Sequence, residues 1–565
     1  MMGALSNALG RGGARLQLDH FSPIRIARVV LWVVALAFVV EGYNRHTPSN
    51  DEWVQHTYGE LLWDFWLSGT TDKTFLSFSN LYLYGGLFDL IAAAGTRAFG
   101  WEWWPWRHLL TATFGLLALW GTARLARLVA GKTGEVIALA LTLLTGPFWG
   151  AIFTHTKDIP FAAAMVWALY YTVRLADHPE RLALRHVLLW GFATGIALGI
   201  RVGAVLIPFF LAAGLVINTL WPRPCAETPP ADGFFSENPP WGTRLRTLAH
   251  RIPDWLGSLL PGCAVALAIT AFAWPWSVMG WDHLWLALTK FSHFAFDIYT
   301  WEDGERLLNS QVSRFYLLRY LLVRLPEGVL LGLLLWFFGV YGCKNLSRFA
   351  VKRRARMRVV VFAACFVLAY VIATRPPLYN GIRHFLFLVP WLLVLSAAGW
   401  AALSEALGKA HGSRRVLMAG VALVGCANLF WLAWVNATLH PYEHVYYNTL
   451  AGGLEKADIA WETDYWSDAT RALIPAIEAW LAQQPPGTVA NLAYCGEGFQ
   501  IEPWLPPNVV IVDDWDDADL FLSTTHDNCH YVLDGRTIAT VARRGVTLAV
   551  LKAVRQDRPF TTPIP

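Results

Sequence analysis

The stretch FLSFSNLYLYGGLFDLIAAAGTRAF (residues 75–99) decides how this chain is folded. It is long and apolar enough to cross a bilayer, which takes about 17–25 residues. It also holds Asn80, Gly85, Gly86, Asp89 and Arg97. Counted as a crossing, it would place every later loop on the opposite side of the membrane. Basic residues decide the matter, because cytoplasmic loops carry an excess of Lys and Arg. Segment 343–358 holds seven of them, from Lys344 to Arg358, and reads as cytoplasmic. With 75–99 left out, that segment shares a side with Arg11, Arg15 and Arg25. The basic loops around Arg124–Lys132, Arg174–Arg185, Arg244–Arg251 and Lys409–Arg415 then join them. With 75–99 counted in, this agreement breaks. The stretch is therefore expected as an amphipathic helix lying in the outer interface.

Working outward, apolar runs of crossing length occur near 26–43, 108–129, 134–152, 159–176 and 255–275. Others lie near 320–342, 358–374, 384–405 and 416–435, and the long run 186–220 divides at Arg201 into two short spans. The expectation is a polytopic α-helical membrane protein with about 11 spans, N-terminus inside and C-terminus outside. Composition agrees: 55% of the 565 residues are hydrophobic and only 15% charged, with mean hydropathy +0.38. That excludes an ordinary soluble globular chain. Thirty tryptophans suit aromatic belts at two interfaces. No cleavable leader is expected, since no small-residue cleavage site follows the run 26–43.

The expected organisation is a cytoplasmic segment 1–25, a membrane domain 26–435 and an outward domain 436–565. The membrane domain includes a first outer loop, 44–107, with interfacial helices. The outward domain reads as small α/β, with a helix over 468–483 capped by Ser467 or Asp468. Strands are expected at 488–494, 508–513, 519–523, 531–533 and 546–554. Segment 222–242 reads as a mobile cytoplasmic loop. Loop 276–318, with His283, His293 and Glu302, is long enough to cover an acceptor. Cys225, Cys263, Cys343, Cys365 and Cys426 fall in spans or cytoplasmic loops, and only Cys495 and Cys529 lie in the outward domain. A disulfide persists in an oxidising compartment, so those two are expected to pair, with two free thiols as the alternative.

Two acidic spots stand at the outer boundary: Ser-Asn-Asp-Glu-Trp (49–53) and His-Thr-Lys-Asp-Ile-Pro-Phe (155–161). A carboxylate at a membrane boundary is costly and needs a reason. Asp51 or Glu52 can act as a general base toward a hydroxyl, or bind a divalent cation; the alternative is a solvated loop end. Asp158 opens a span, where it can cap the helix and benefit from its dipole, a role compatible with a site. Lys157 reads equally as an interfacial anchor, and His155 as a hydrogen-bonded interfacial histidine. Arg201 and Arg383 sit at the same boundary and suit an anion such as a lipid phosphate; the alternative is snorkelling to the headgroups. Together these residues fit a reaction between a phosphate-bearing lipid donor and a hydroxyl acceptor.

At these residues the chain resembles the GT-C superfamily of polyprenyl-phosphate-sugar-dependent glycosyltransferases. The likeness is to the protein O-mannosyltransferase-like branch, which includes the lipid A aminoarabinose transferase. It rests on Asp51-Glu52 in the first outer loop, an interfacial helix after it, and Lys-Asp-Ile-Pro-Phe (157–161). A basic residue at Arg201, Pro-Tyr-Glu-His-Val-Tyr-Tyr-Asn (441–448), Ala-Gly-Gly-Leu (451–454) and Asp-Tyr-Trp (464–466) add to it. The resemblance implies inverting transfer of a sugar from a polyprenyl-phosphate-linked donor to a hydroxyl acceptor on a protein, lipid or glycan. It implies a multi-pass protein of the bacterial inner membrane with its site facing the periplasm, surrounded by membrane lipids and without a nucleic-acid partner. Asp51 would be the base, Glu52 its support, and Asp158 would complete the acidic site. A divalent metal ion would be held by Asp51 and Asp158, and the carrier phosphate by Arg201, Arg383 and Lys157. Where relatives have His-Pro-Pro or a lysine, this chain has Ser77-Phe78-Ser79-Asn80. A transporter or flippase for a lipid-linked sugar would need polar residues deep within spans near the midplane; the expected spans have few, and their charges cluster at the outer rim. A non-catalytic envelope scaffold is the remaining alternative.

Overall fold

The computed structural model describes residues 22–221, 240–292, 297–341 and 354–554. Arg11 and Arg15, Cys225 with nearly all of segment 222–242, His293, and Cys343 with the first part of the basic loop lie outside the described residues.

Water is absent from a bilayer core, so each crossing segment must satisfy its own backbone polar groups as a helix. Among the described residues, eight helices are long and apolar enough to cross. The count is nine if the pair Tyr316–Arg324 and Glu327–Gly339, bent by 112°, is one crossing. The bend falls at Pro326, which lacks the N–H needed to continue the first helix. Leu184–Leu198 is a shorter apolar helix. The helix Trp103–Leu144 is broken at Gly131, which takes a left-handed φ of 81°. Across that break Arg127 Nη1 donates to Glu135 Oε2 (3.1 Å).

Two helices form the centre: Asp158–Ala176 and Leu388–Leu407 each have 83% of their apolar window buried. Pro23–Gly42 and Gly412–Leu439, at 11%, form the periphery. Small residues set the closest approach. A Cβ on Gly191 would lie 2.0 Å from the carbonyl oxygen of Gly262, so Leu184–Leu198 and Trp241–Ala273 touch backbone to backbone.

Several expected boundaries move. The span expected at 134–152 ends at Leu144. Residues 146–152 instead form two short turns buried under Glu443 and His444. The stretch 75–99 is not one helix. Single turns at Thr74–Leu76 and Leu81–Leu83 precede a helix that starts at Leu87. The cause is anchoring at the two glycines: Gly86 N donates to Ala273 O (3.0 Å) and Leu87 N to Gly199 O (2.9 Å). The helix Leu87–Phe99 then packs on Glu52–Leu67, which begins directly after Asp51.

The C-terminal part carries a five-stranded mixed sheet. Its strands are β3 (Ala490–Cys495), β4 (Val509–Ile511), β5 (Leu520–Thr524), β6 (Arg536–Arg543) and β7 (Val546–Ala553), in the order β4-β3-β5-β7-β6. β3 runs parallel to β4 and β5, while β7 pairs antiparallel with β5 and β6. No strand forms at 531–533. Residues 526–531 turn, with Cys529 joined to Cys495 at the end of β3. The edge strand β6, with one buried position in eight, carries too little buried alternation to be read from sequence. The helix expected over 468–483 divides into a 3₁₀ segment, Asp468–Leu473, and an α-helix, Ile474–Leu481, with Pro475 in its first turn. The hairpin β1 (Tyr299–Glu302) and β2 (Glu305–Leu308) fixes part of loop 276–318 against this domain. Thr300 Oγ1 donates to Glu462 Oε1 (2.9 Å) and Gly304 N to Ala460 O (3.0 Å).

Candidate active site

Four loops at helix ends bring the site together. Asp51 immediately precedes Glu52–Leu67, and Asp158 is the first residue of Asp158–Ala176. Arg201 stands between Leu184–Leu198 and the helical turn Val202–Val205. Arg383 follows a tight turn in which Asn380 and Gly381 both have left-handed φ. Gly381 N donates to the buried Tyr316 hydroxyl (3.0 Å), which aims the next turn inward.

The Arg383 guanidinium bridges the two acidic spots. Its Nη2 pairs with Asp51 Oδ2 and its Nε donates to Asp158 Oδ2 (3.2 Å). Asp158 Oδ1 is paired with Arg201 Nη2 at 2.6 Å. These contacts establish common sidedness physically. Asp51 and Asp158 cannot share one guanidinium across a bilayer, and the helix within 75–99, Leu87–Phe99, has 13 residues, fewer than a crossing takes. Arg383 is buried, and Asp51 and Asp158 raise its pKa although desolvation opposes the charge. Exposure divides the carboxylates. The Asp158 side chain is 2% exposed, whereas that of Asp51 is 39% exposed and forms the open end of the cluster. The Arg201 Nε has no hydrogen-bond acceptor among the described residues.

Asp158 does not cap its helix: no side-chain cap bond forms, and both oxygens face arginines. Arg201 does not snorkel, because Asp158 holds it. Glu52 turns away from Asp51. It is fully buried, accepts from Ser49 N (3.2 Å) and Oγ (3.1 Å), and pairs with His108 at 3.2 Å. Lys157 lies 3.7 Å from Asp89 Oδ2 and over the Tyr84 ring (4.6 Å). Burial lowers its pKa, with Arg201 and Arg107 adding to the effect while Asp89 and Asp51 oppose it. Asp89 also accepts from Arg107 Nη2 (2.9 Å), and Arg107 donates to Thr156 Oγ1 (2.7 Å). The cluster thus sets Arg107, Lys157, Arg201 and Arg383 against three carboxylates, Asp51, Asp89 and Asp158. The formal count is four cationic groups to three carboxylates. Asp89 and Arg107 are not singled out from sequence as site residues; Asp89 inside the apolar stretch 75–99 is the one signal, and Arg107, just before the run 108–129, carries none.

The C-terminal part closes the site. Trp466 lies over the Arg383 guanidinium (4.3 Å) and its Nε1 reaches His155 Nε2 (3.4 Å). The Tyr465 hydroxyl meets the same nitrogen at 2.6 Å. Burial first, then His444, Arg383 and Arg324, push the His155 pKa well below its ordinary value. The Trp466 indole can only donate, so His155 Nε2 accepts from it, while Nδ1 lies 3.2 Å from Thr154 Oγ1. Behind them His46 Nδ1 meets Asp468 Oδ2 (2.6 Å), and Thr47 N donates to Asp468 Oδ1 (2.9 Å). Asp464 accepts from Asp468 N and Ala469 N and pairs with His444 at 3.4 Å. Gln500 Nε2 donates to Pro48 O (2.7 Å), tying the domain to the loop that carries Asp51.

No three His, Cys, Asp or Glu side chains among the described residues form a metal-ligand set. Between Asp51 and Asp158 stands a guanidinium, which already balances the charge a cation would. As arranged, the pair does not fit the expected divalent ion.

No family model matches the chain, and no curated protein matches it. Its structure is similar to ArnT from Cupriavidus metallidurans in the apo state. Identity is 15%, 94% of this chain and 99% of that one are covered, and the TM-score is 0.46. Against the same protein bound to undecaprenyl phosphate, the TM-score is 0.45 at 15% identity, over 94% and 98% of the two chains. The archaeal oligosaccharyltransferase AglB from Archaeoglobus fulgidus, in complex with an inhibitory peptide and a dolichol-phosphate, gives a TM-score of 0.45. There identity is 12% over 88% of this chain and 69% of that one.

Proposed function

We propose that this chain is a membrane glycosyltransferase that moves a sugar from a polyprenyl-phosphate carrier to a hydroxyl acceptor with inversion. The observation that carries the reading is the division of the carboxylates. The accessible Asp51 shares Arg383 with the buried Asp158, whose other oxygen holds Arg201. A partly exposed carboxylate is the group an acceptor hydroxyl can reach. Asp51 takes the hydroxyl proton as the acceptor oxygen forms its bond to the anomeric carbon. The bond from that carbon to the phosphate oxygen breaks, and its electron pair leaves with the phosphate. Arg201, whose buried Nε has no partner among the described residues, and Arg383 hold the departing charge. Asp158 keeps the two guanidinium groups in place, and Lys157, with Asp89 and Arg107 behind it, adds positive charge beside them.

Eleven crossings complete the proposed topology, with Trp103–Leu144 turning back at Gly131 and Leu184–Leu198 counted as a short span. The distribution of basic residues favours the outer side for the site and for the domain from about residue 436, and the resemblance implies that this side is the periplasm of a bacterial inner membrane. The test is sugar transfer in membranes loaded with labelled polyprenyl-phosphate sugars. Label passing to an acceptor with the wild type and not with Asp51→Asn supports the assignment. No transfer and no binding of any such lipid would overturn it.

A further inference from the structure

A second feature lies at the opposite ends of the same helices. A groove of about 420 Å³ runs between Pro23–Gly42 and the first half of Trp103–Leu144. One end is basic: Arg28, Arg124 and Arg127 all line it. Glu135, its side chain only 7% exposed, pairs with Arg28 (3.7 Å) and Arg127 (3.1 Å) and fixes both guanidinium groups at the rim. Arg124 has no ion-pair partner among the described residues, so two positive charges are left uncompensated. The other end is apolar, formed by Trp32, Leu116, Leu117 and Trp120. Trp120 and Leu117 are 48% and 37% exposed, on a face that looks outward from the bundle.

The dimensions fit a lipid. From Thr113 to Arg127 the groove follows fourteen residues of helix, about 21 Å at 1.5 Å per residue. That is the scale of an acyl chain lying below its headgroup. The arginines sit at helix ends, where headgroups lie, while the apolar lining points toward the bilayer centre. Three guanidinium groups against one carboxylate select a phosphate anion. Basic pockets between membrane helices hold anionic headgroups by this means. We propose that this groove is a binding site for one anionic phospholipid, in the leaflet opposite the carboxylate–arginine cluster.

The full chain, reconstituted in mixed vesicles of phosphatidylcholine and phosphatidylglycerol, is extracted and its retained lipids are weighed by native mass spectrometry. One phosphatidylglycerol is expected to stay bound under activation that strips phosphatidylcholine. Arg124→Gln, which strands no ion-pair partner, is expected to lower that retention about tenfold, the scale of one charge-assisted hydrogen bond. Leu117→Trp fills the apolar length without touching charge and is expected to displace the lipid as well. It also decides the matter if Arg124→Gln fails to fold. Equal retention of both lipids, or retention that survives Leu117→Trp, overturns the proposal. So does full displacement by inorganic phosphate alone, which would mark an anion site with no use for the chain.

Discussion

Changing Asp51 to Asn separates chemistry from stability, because Asp51 is the exposed member of a buried network. Its side chain is 39% exposed, and its structural contribution is one ion pair to Arg383. A partly exposed pair contributes about 0–1 kcal/mol. The Asn amide oxygen still accepts from the guanidinium, and Arg383 keeps Asp158. The fold should therefore lose less than about 1 kcal/mol. The chemical loss is larger: a positioned general base contributes about 10²–10⁴-fold, or about 3–5 kcal/mol of barrier. Arg383→Met is the contrasting change. It leaves Asp158, 2% exposed, with Arg201 alone and strips Asp51 of its partner. Breaking such a buried network costs about 3–5 kcal/mol. Transfer from labelled polyprenyl-phosphate sugar, run beside thermal unfolding in detergent, reads both quantities. Asp51→Asn should unfold near the wild type and transfer at least a hundredfold more slowly, while Arg383→Met loses both. Asp51→Asn transferring within about threefold of the wild type would refute Asp51 as the base.

Glu52→Gln should transfer within about threefold of the wild type despite its adjacency to Asp51, because Glu52 faces His108 and Ser49; an hundredfold loss would return it to the chemistry. Trp466→Leu removes the ring over Arg383 and should slow turnover about fivefold, the scale of a cation–π contact, in the transfer assay at saturating donor. Gly59→Ala puts a Cβ 2.3 Å from the Asp89 carbonyl oxygen, and should lower stability by about 1–3 kcal/mol in thermal unfolding. Docking of the C-terminal domain should depend on pH. Asp468 is lowered from 3.8 to about 2; burial opposes this, but the charge and hydrogen bond of His46 outweigh it, helped by His444 and Thr47. Its contribution is present above pH 3.8 and is lost as pH falls toward 2. His444 is raised: burial opposes its charge, but the bond to Asp464 and the charges of Asp464 and Asp468 prevail. Its contribution is present below its ordinary 6.5 and is lost as pH rises through the raised value. Limited proteolysis of the domain across pH should show tightest docking between about pH 4 and 6.5, and a flat profile would count against these pairs.

The sidedness of the site was legible because it depends on quantities additive along the chain. Apolar length counts crossings and basic residues mark loops, so the reading of 75–99 put Asp51, Asp158, Arg201 and Arg383 on one face. The contacts among those four require the same. Partnership within that face was not legible. Asp51 and Glu52 are adjacent in sequence, but successive residues entering a helix project about 100° apart, so one meets Arg383 and the other His108. Packing of Leu87–Phe99 brings Asp89 together with Arg107 and Lys157, and Arg107 with Thr156, across positions far apart in the chain. The role of Trp466 depends on a separation of eighty-three residues from Arg383. Periodicity, hydropathy and charge describe each segment alone, and so mark which segments are long and apolar enough to cross. Which carboxylate stays open and which is buried under arginine is settled by side-chain directions across loops far apart in the chain, and only tertiary packing fixes those.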